Sequence, residues 1–205
     1  METIIFPANE DNAIPHALEI LKRGGLVAFP TDTVYGVGAL AFDAAAVESI
    51  YTAKGRPIEK AIPILIGEPE DLDKVTVEIP LIAAKLAARF WPGPLTLVVP
   101  KHPNLPDVVS AGPTVGVRVP DHPIARALLI TAGPMAVTSA NVSGQDSPKT
   151  AWEVSRQLNG RIPLILDGGE TPGGVPSTVV NCLGTEPVIL REGPVTLKGI
   201  QFVLA

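Results

Sequence analysis

An α/β fold built on a twisted, largely mixed β-sheet flanked by helices is what this sequence predicts, and three observations lead there. Short β-branched runs alternate with helical patterns from one end of the chain to the other. Of the 205 residues, 46% are hydrophobic and only 18% charged, which is ample for a sizeable core and unlike a disordered chain. The 19 glycines and 22 prolines are dispersed between the apolar runs, and they read as turns rather than as a low-complexity tract. No internal repeat and no long linker interrupts the pattern, so residues 1–205 are expected to form one domain.

Residues 3–6 read as the first strand. Residues 11–23 read as a helix, with Ile14, Ala17, Leu18 and Leu21 on one face and Gly24-Gly25 ending it. Residues 26–29 give a second strand, stopped by Pro30. Asp43 suits the cap of a helix that carries Val47, Ile50 and Tyr51 and ends near Lys54-Gly55. Residues 62–66 are strand-like, but Pro63 cannot donate to a ladder and moves this strand towards a sheet edge. Pro80 fits the first turn of a helix over residues 80–90. Strands are expected over 95–99 and 115–119, a helix over 124–130 and a short buried strand over 135–138. Thr150 and Glu153 have the spacing of a capping box, in which each side chain satisfies a backbone donor of the other residue. Strands over 164–166, 178–182 and 188–190 complete the pattern.

Sixteen Lys and Arg against 21 Asp and Glu give a net charge of −5, which argues against a globally basic nucleic-acid binder while leaving a local basic patch open. The lone Cys182 cannot form an intrachain disulfide and is expected to pack as a small hydrophobe. The first residues lack the basic region and long apolar stretch of a signal peptide, and no run approaches membrane-spanning length. A cytoplasmic location without a membrane partner is therefore expected. There is no G-x-x-x-x-G-K-[ST] loop, no G-x-G-x-x-G after a strand and no G-x-S-x-G elbow. His16, His102 and His122 are scattered near prolines or helix starts without metal-ligand spacing, so surface or capping roles are expected and no metal site is assigned.

What remains is a set of polar residues in Pro/Gly-rich segments at the ends of apolar strands, where open α/β sheets bind ligands. Thr31, Thr33 and Tyr35 directly follow a buried strand; local hydroxyl–backbone bonds in a turn and a binding role fit them equally. Lys54, Arg56 and Lys60 crowd three cations into one Gly/Pro-containing loop. They suit a polyphosphate, or alternatively the negative end of a helix dipole. Thr138, Ser139, Asn141 and Ser143 pack small hydrogen-bonding side chains into another loop, compatible with ligand contact or an ordinary turn. Arg118 sits in an apolar strand and needs a carboxylate or phosphate, because burying it unpaired is prohibitive. Ser177 and Arg191 put polar groups at two further strand ends.

Seven stretches in order resemble the YrdC/Sua5 family. They are Pro-Thr-Asp-Thr-Val-Tyr-Gly at 30–36, Lys-Gly-Arg-Pro at 54–57, Phe-Trp-Pro-Gly-Pro-Leu-Thr at 90–96 and Val-Arg-Val-Pro-Asp-His-Pro at 117–123. Ser-Ala-Asn-Val-Ser-Gly at 139–144, Ser-Thr-Val-Val at 177–180 and Leu-Arg-Glu-Gly at 190–193 follow. The resemblance covers nearly the whole chain, and a short form without the additional C-terminal domain of longer Sua5 proteins is what it leads one to expect. It implies a twisted sheet with a large open, positively lined cavity. The activity it implies is condensation of L-threonine, bicarbonate and ATP into threonylcarbamoyl-AMP and pyrophosphate, with Mg²⁺ at the phosphates. A downstream threonylcarbamoyl transferase complex would then modify adenosine 37 of tRNA, and direct tRNA contact can accompany catalysis.

By the same resemblance, Lys54 and Arg56 face ATP phosphates, with Lys60 a further candidate, and Ser139 and Asn141 lie between threonine and nucleotide. Arg118 pairs with the threonine carboxylate, while Thr31, Thr33 and Ser177 help hold the amino acid. Thr114, Ser147 and Arg191 match nucleotide-side positions. Three positions depart from the family pattern: Asp32 stands where Glu is usual, Lys60-Ala61-Ile62-Pro63 shifts the register after Lys-Gly-Arg-Pro, and Glu192 follows Arg191. Two other readings compete, a relative that has the fold but not the synthase activity and a non-catalytic RNA-binding module. The retained Lys54/Arg56 and Ser139/Asn141 pairs weigh against the first, and the charge balance weighs against the second.

Overall fold

The computed structural model describes residues 2–205. In chain order its elements are β1 (Ile4–Pro7), α1 (Ala13–Lys22), β2 (Val27–Phe29), β3 (Gly36–Leu40), α2 (Ala44–Lys54) and β4 (Ile64–Leu65). A 3-10 turn at Pro69–Lys74 leads to α3 (Leu81–Phe90), β5 (Leu95–Pro100), β6 (Thr114–Arg118), α4 (Pro123–Ala132) and β7 (Met135–Ser139). The chain ends with α5 (Ala151–Leu158), β8 (Leu164–Asp167), β9 (Thr178–Asn181), β10 (Val188–Arg191) and α6 (Leu197–Leu204). The ten strands make one mixed sheet in the order β1-β8-β2-β3-β7-β4-β6-β5-β9-β10.

Local chemistry explains the element ends. The N–H groups of Gly24 and Gly25 donate back to the carbonyls of Leu21 and Ile20, and Gly24, at φ 77°, supplies the left-handed residue that closes α1. Asp43 Oδ1 accepts from the Ala46 N–H at 3.0 Å to cap α2, which stops at Gly55, φ 60°. At α5 only half of the expected capping box forms. Thr150 Oγ1 accepts from the Glu153 N–H, but the Glu153 carboxylate takes the N–H of Lys149, one residue further out.

The edge position expected for residues 62–66 is corrected: β4 lies inside the sheet, antiparallel to β7 and parallel to β6. Only Ile64 and Leu65 enter the ladder, so Pro63 stands just ahead of it, where its missing N–H costs nothing. Strand β3 was not foreseen because its glycines hide the apolar alternation. A Cβ on Gly38 would lie 2.7 Å from Ala136 O and Val137 Cγ2, so close approach to β7 requires glycine there.

Period-two alternation divides the sheet into two faces. On β5, β6 and β7, Leu95, Leu97, Val99, Val115, Val117 and Ala136 enter the larger core, together with residues of α2, α3, α5 and α6. The opposite face carries a smaller core in which α1 and α4 cover Val27, Phe29, Leu65, Met135 and Val137. Those two helices do not reach across the whole of that face. Beyond them, Thr96, Val98, Thr114, Gly116, Arg118 and Val179 line an open cavity.

Candidate active site

The cavity has a volume of about 480 Å³, within the range of small-molecule sites. Ten of the residues singled out in the sequence line it: Thr31, Thr33, Arg56, Thr114, Arg118, Thr138, Ser139, Ser147, Ser177 and Arg191. Their positions follow from strand geometry. Thr114 and Arg118 lie at alternate positions on β6, Ser139 ends β7, and Ser177 precedes β9. Arg191 ends β10 beside a register irregularity that turns it towards β9.

Arg118 is buried among protein partners. Its Nη2 donates to Asp32 Oδ1 at 2.5 Å, its Nη1 to Thr33 Oγ1 at 3.2 Å and its Nε to the Gly93 carbonyl at 2.9 Å. Asp32 is thus the carboxylate that the strand position of Arg118 demanded, and it also accepts from the Asp121 N–H at 3.1 Å. Burial pushes the Arg118 pKa down and Arg191 adds to the effect, while Asp32 pulls it up. Thr31 serves its own turn, with its hydroxyl donating to Val34 O at 2.7 Å and accepting from the Thr33 N–H.

Arg56 is half-buried and held by the loop that follows it, Nε donating to Lys60 O at 3.1 Å and Nη2 to Ala61 O at 2.8 Å. Arg191 donates from Nε and Nη2 to Ser177 O at 3.0 and 2.8 Å, and forms no ion pair with the neighbouring Glu192 among the described residues. Burial lowers the pKa of both arginines. Arg56, Arg118 and Arg191 therefore put three guanidinium groups on one cavity, and no carboxylate lines it among the described residues. Such a surface selects anions.

Three candidates lie elsewhere. The Lys60 side chain is exposed and outside the cavity lining. Lys54 is only 1% exposed, and its ammonium lies behind the wall, donating to the carbonyls of Ser139 and Asn141. Burial first, and then the Arg56 charge, pull its pKa from 10.5 to about 7. Asn141 is also enclosed. Its amide nitrogen donates to Val142 O at 2.9 Å and Gln145 O at 2.8 Å, while its buried Oδ1 has no partner. The Ser143 N–H donates to Lys54 O at 2.8 Å, so the end of α2 and the loop after β7 are joined twice over.

Thr96 and Ser110 line the cavity without having been singled out as site residues. The available signal was a hydroxyl recurring on the same strand face as apolar neighbours, as with Thr96 and Val98 on β5. Among the described residues no cluster of three His, Cys, Asp or Glu side chains is arranged to hold a metal. The lining offers hydroxyls and guanidinium groups, a donor set that fits phosphate rather than a protein-held Mg²⁺. Cys182 is fully buried, with burial raising its thiol to about 12. His122 occupies the cap position of α4 without capping it, and its Nδ1 is buried with no partner.

Comparison with known proteins places this site in context. The family model described as Telomere recombination, Sua5/YciO/YrdC, matches residues 19–193. A threonylcarbamoyl-AMP synthase of Pyrococcus abyssi is 47% identical over 197 residues, which are 95% of this chain and 58% of the relative. A putative threonylcarbamoyl-AMP synthase of Mycobacterium tuberculosis is 41% identical over 97% of this chain and 92% of its own length. The crystal structure of P. abyssi Sua5 complexed with L-threonine superposes with a TM-score of 0.95 at 46% identity, over 98% of this chain and 61% of that one. The chain thus spans little more than half of the P. abyssi relative. Family model, sequence identity and superposition agree, and the chain belongs to the Sua5/YciO/YrdC family.

Proposed function

We propose that this protein is an L-threonylcarbamoyladenylate synthase, joining L-threonine, bicarbonate and ATP into threonylcarbamoyl-AMP with release of pyrophosphate and water. The observation that carries this reading is the cavity wall of Arg56, Arg118 and Arg191, three cations facing one space without a lining carboxylate among the described residues. All three substrates are anions or carry a carboxylate. Arg118, with Thr33 beside it, suits the threonine carboxylate, which would meet the guanidinium edge left free by Asp32. Arg56, Ser139, Ser147 and Thr114 suit the nucleotide, with the arginine on the phosphates. Lys54 and Asn141 serve the same wall from behind, by holding the loop that carries Ser139.

Catalysis on this reading is positioning plus charge neutralisation. The threonine nitrogen attacks the bicarbonate carbon, a C–N bond forms and a C–O bond breaks. Of the two protons lost by the ammonium, one leaves in the water formed and one passes to solvent. A carbamate oxygen then attacks the α-phosphate, and pyrophosphate departs with the electrons of the broken P–O bond. The product is a mixed anhydride, so a transferase must consume it, which agrees with hand-over to a threonylcarbamoyl transferase acting on tRNA in the cytoplasm. No helix among the described residues is long and apolar enough to cross a membrane.

The test is pyrophosphate release from ATP, Mg²⁺ and bicarbonate with and without L-threonine. Release that requires threonine is expected; equal release without it would overturn the assignment.

A further inference from the structure

The cavity opens on one face of the sheet, and α3 and α6 cover the other; no residue of either helix lines the cavity. Their outer surface is unusually apolar. Of the large hydrophobic side chains left exposed, the two most exposed are Phe202 on α6, at 86%, and Leu81 at the start of α3, at 72%. Val77 and Ile79, at 60% and 44%, stand in the segment that leads into α3. The two helices touch, since a Cβ on Gly199 would lie 3.8 Å from Phe90 Cζ. Phe202 follows Gly199 by three positions and shares its flank of α6, so it stands beside α3. Large apolar side chains gathered on one face mark an interaction surface.

The charges on this face are ordered. Glu78 lies just ahead of α3, and Leu81, Lys85, Ala88 and Arg89 then follow at helical spacing along the exposed side of the helix. Neither α3 nor α6 contains an acidic residue, and Lys198 adds a cation on the Phe202 flank. Glu78, Lys85, Arg89 and Lys198 form no ion pair among the described residues. The face thus runs from acid through an apolar middle to base. Turned by half a rotation, that order is complementary to itself, which is the property of a twofold interface. A different protein would have to carry the reverse order, whereas a second copy supplies it by symmetry.

We propose that α3, with Phe202 beside it, is the interface of a twofold dimer of this chain. With α3 antiparallel to its mate and the axis passing near Ala84 and Lys85, Leu81 packs on Ala88 of the partner subunit, whose small side chain leaves room for it. Glu78 is brought to the end of α3 that carries Arg89 of the partner subunit, and symmetry makes each contact twice. Lys85 runs along the rim, its stem against the apolar middle and its ammonium in water. Both cavities face away from the axis and stay open, so the assembly does not depend on the synthase reading.

Sedimentation velocity of the full chain tests the dimer. Wild type at about 100 μM in about 50 mM salt should sediment at twice the chain mass, and about 500 mM salt should shift it towards monomer by screening the rim pairs. Leu81→Glu should leave only monomer, with the circular dichroism spectrum unchanged because the side chain is exposed. Glu78→Arg and Arg89→Glu should each raise the dimer Kd at least about tenfold, since each breaks two symmetric pairs and sets like charges together. Both reversals in one chain restore opposite charges across the axis and should return the Kd to within about threefold of wild type. Should Leu81→Glu not fold, the charge-reversal set decides alone. A wild type that stays monomeric, a dimer that survives Leu81→Glu, or a double reversal no tighter than the single ones would overturn the proposal.

Discussion

Lys54 and Arg56 stand two residues apart and have different surroundings. Arg56 lies past the end of α2 and turns into the cavity, while Lys54, still helical, turns inward to the carbonyls of Ser139 and Asn141. Sequence could mark both as cations in a Gly/Pro loop, but not which one faces the ligand, because that depends on where the loop after β7 passes. The same limit applied to Arg118: its need for a carboxylate was legible, but Asp32 as the partner was not, since 86 positions separate them. The enclosure of Lys54 has a consequence for pH. With a folded-state pKa of about 7 against 10.5 when unfolded, the unfolded chain binds more protons across that window. The penalty is full below pH 7, and stability contributed at this site rises as pH rises from 7 towards 10.5. The carbonyl bonds to the ammonium offset part of it. Urea denaturation at about pH 6 and about pH 9 should therefore show a smaller pH gain for Lys54→Met than for wild type. Equal gains in both would contradict the enclosed lysine.

At the scale of elements, the strongest periodic segments were legible and the short or glycine-rich ones were not. Helices α1, α2 and α5 announce themselves by apolar spacing and capping residues. Strand β3, whose glycines are needed for contact with β7, carries no such signal, and β4 contributes too few residues to the ladder to define its place. α6 (Leu197–Leu204) was passed over as well, although Thr196 Oγ1 caps it by accepting from the Gly199 N–H. The end of α2 gives an element-level prediction. Gly55 has φ 60°, and a Cβ added there would meet nothing within 4 Å, so Gly55→Ala strains the backbone without a clash. It should cost about 1 kcal/mol in chemical denaturation. Because Arg56 follows directly, ATP affinity should fall as well. An unchanged stability would show that the turn does not depend on the left-handed residue.

Across the whole molecule, the cavity exists because the ten-stranded sheet is wider than the two helices that cover one of its faces. Polar residues then occupy alternate positions of strands whose other face is core: Thr96 on β5, Thr114 and Arg118 on β6. That alternation was present in the sequence, and the resemblance to the YrdC/Sua5 family pointed to most of the polar side chains of the lining. Neither revealed that the side chains of Ser177 and Arg191 touch, which depends on β10 pairing with β9 through an irregular register. The central claim is that the two walls of this cavity have separate ligands, threonine at Arg118 and ATP phosphates at Arg56. Titration calorimetry of L-threonine and of ATP against wild type, Arg118→Ala and Arg56→Ala tests it most directly. A crossed pattern is predicted: Arg118→Ala weakens threonine at least about tenfold and leaves ATP within about threefold, and Arg56→Ala does the reverse. Equal losses for both ligands in either variant, or unchanged ATP affinity in Arg56→Ala, would contradict the account.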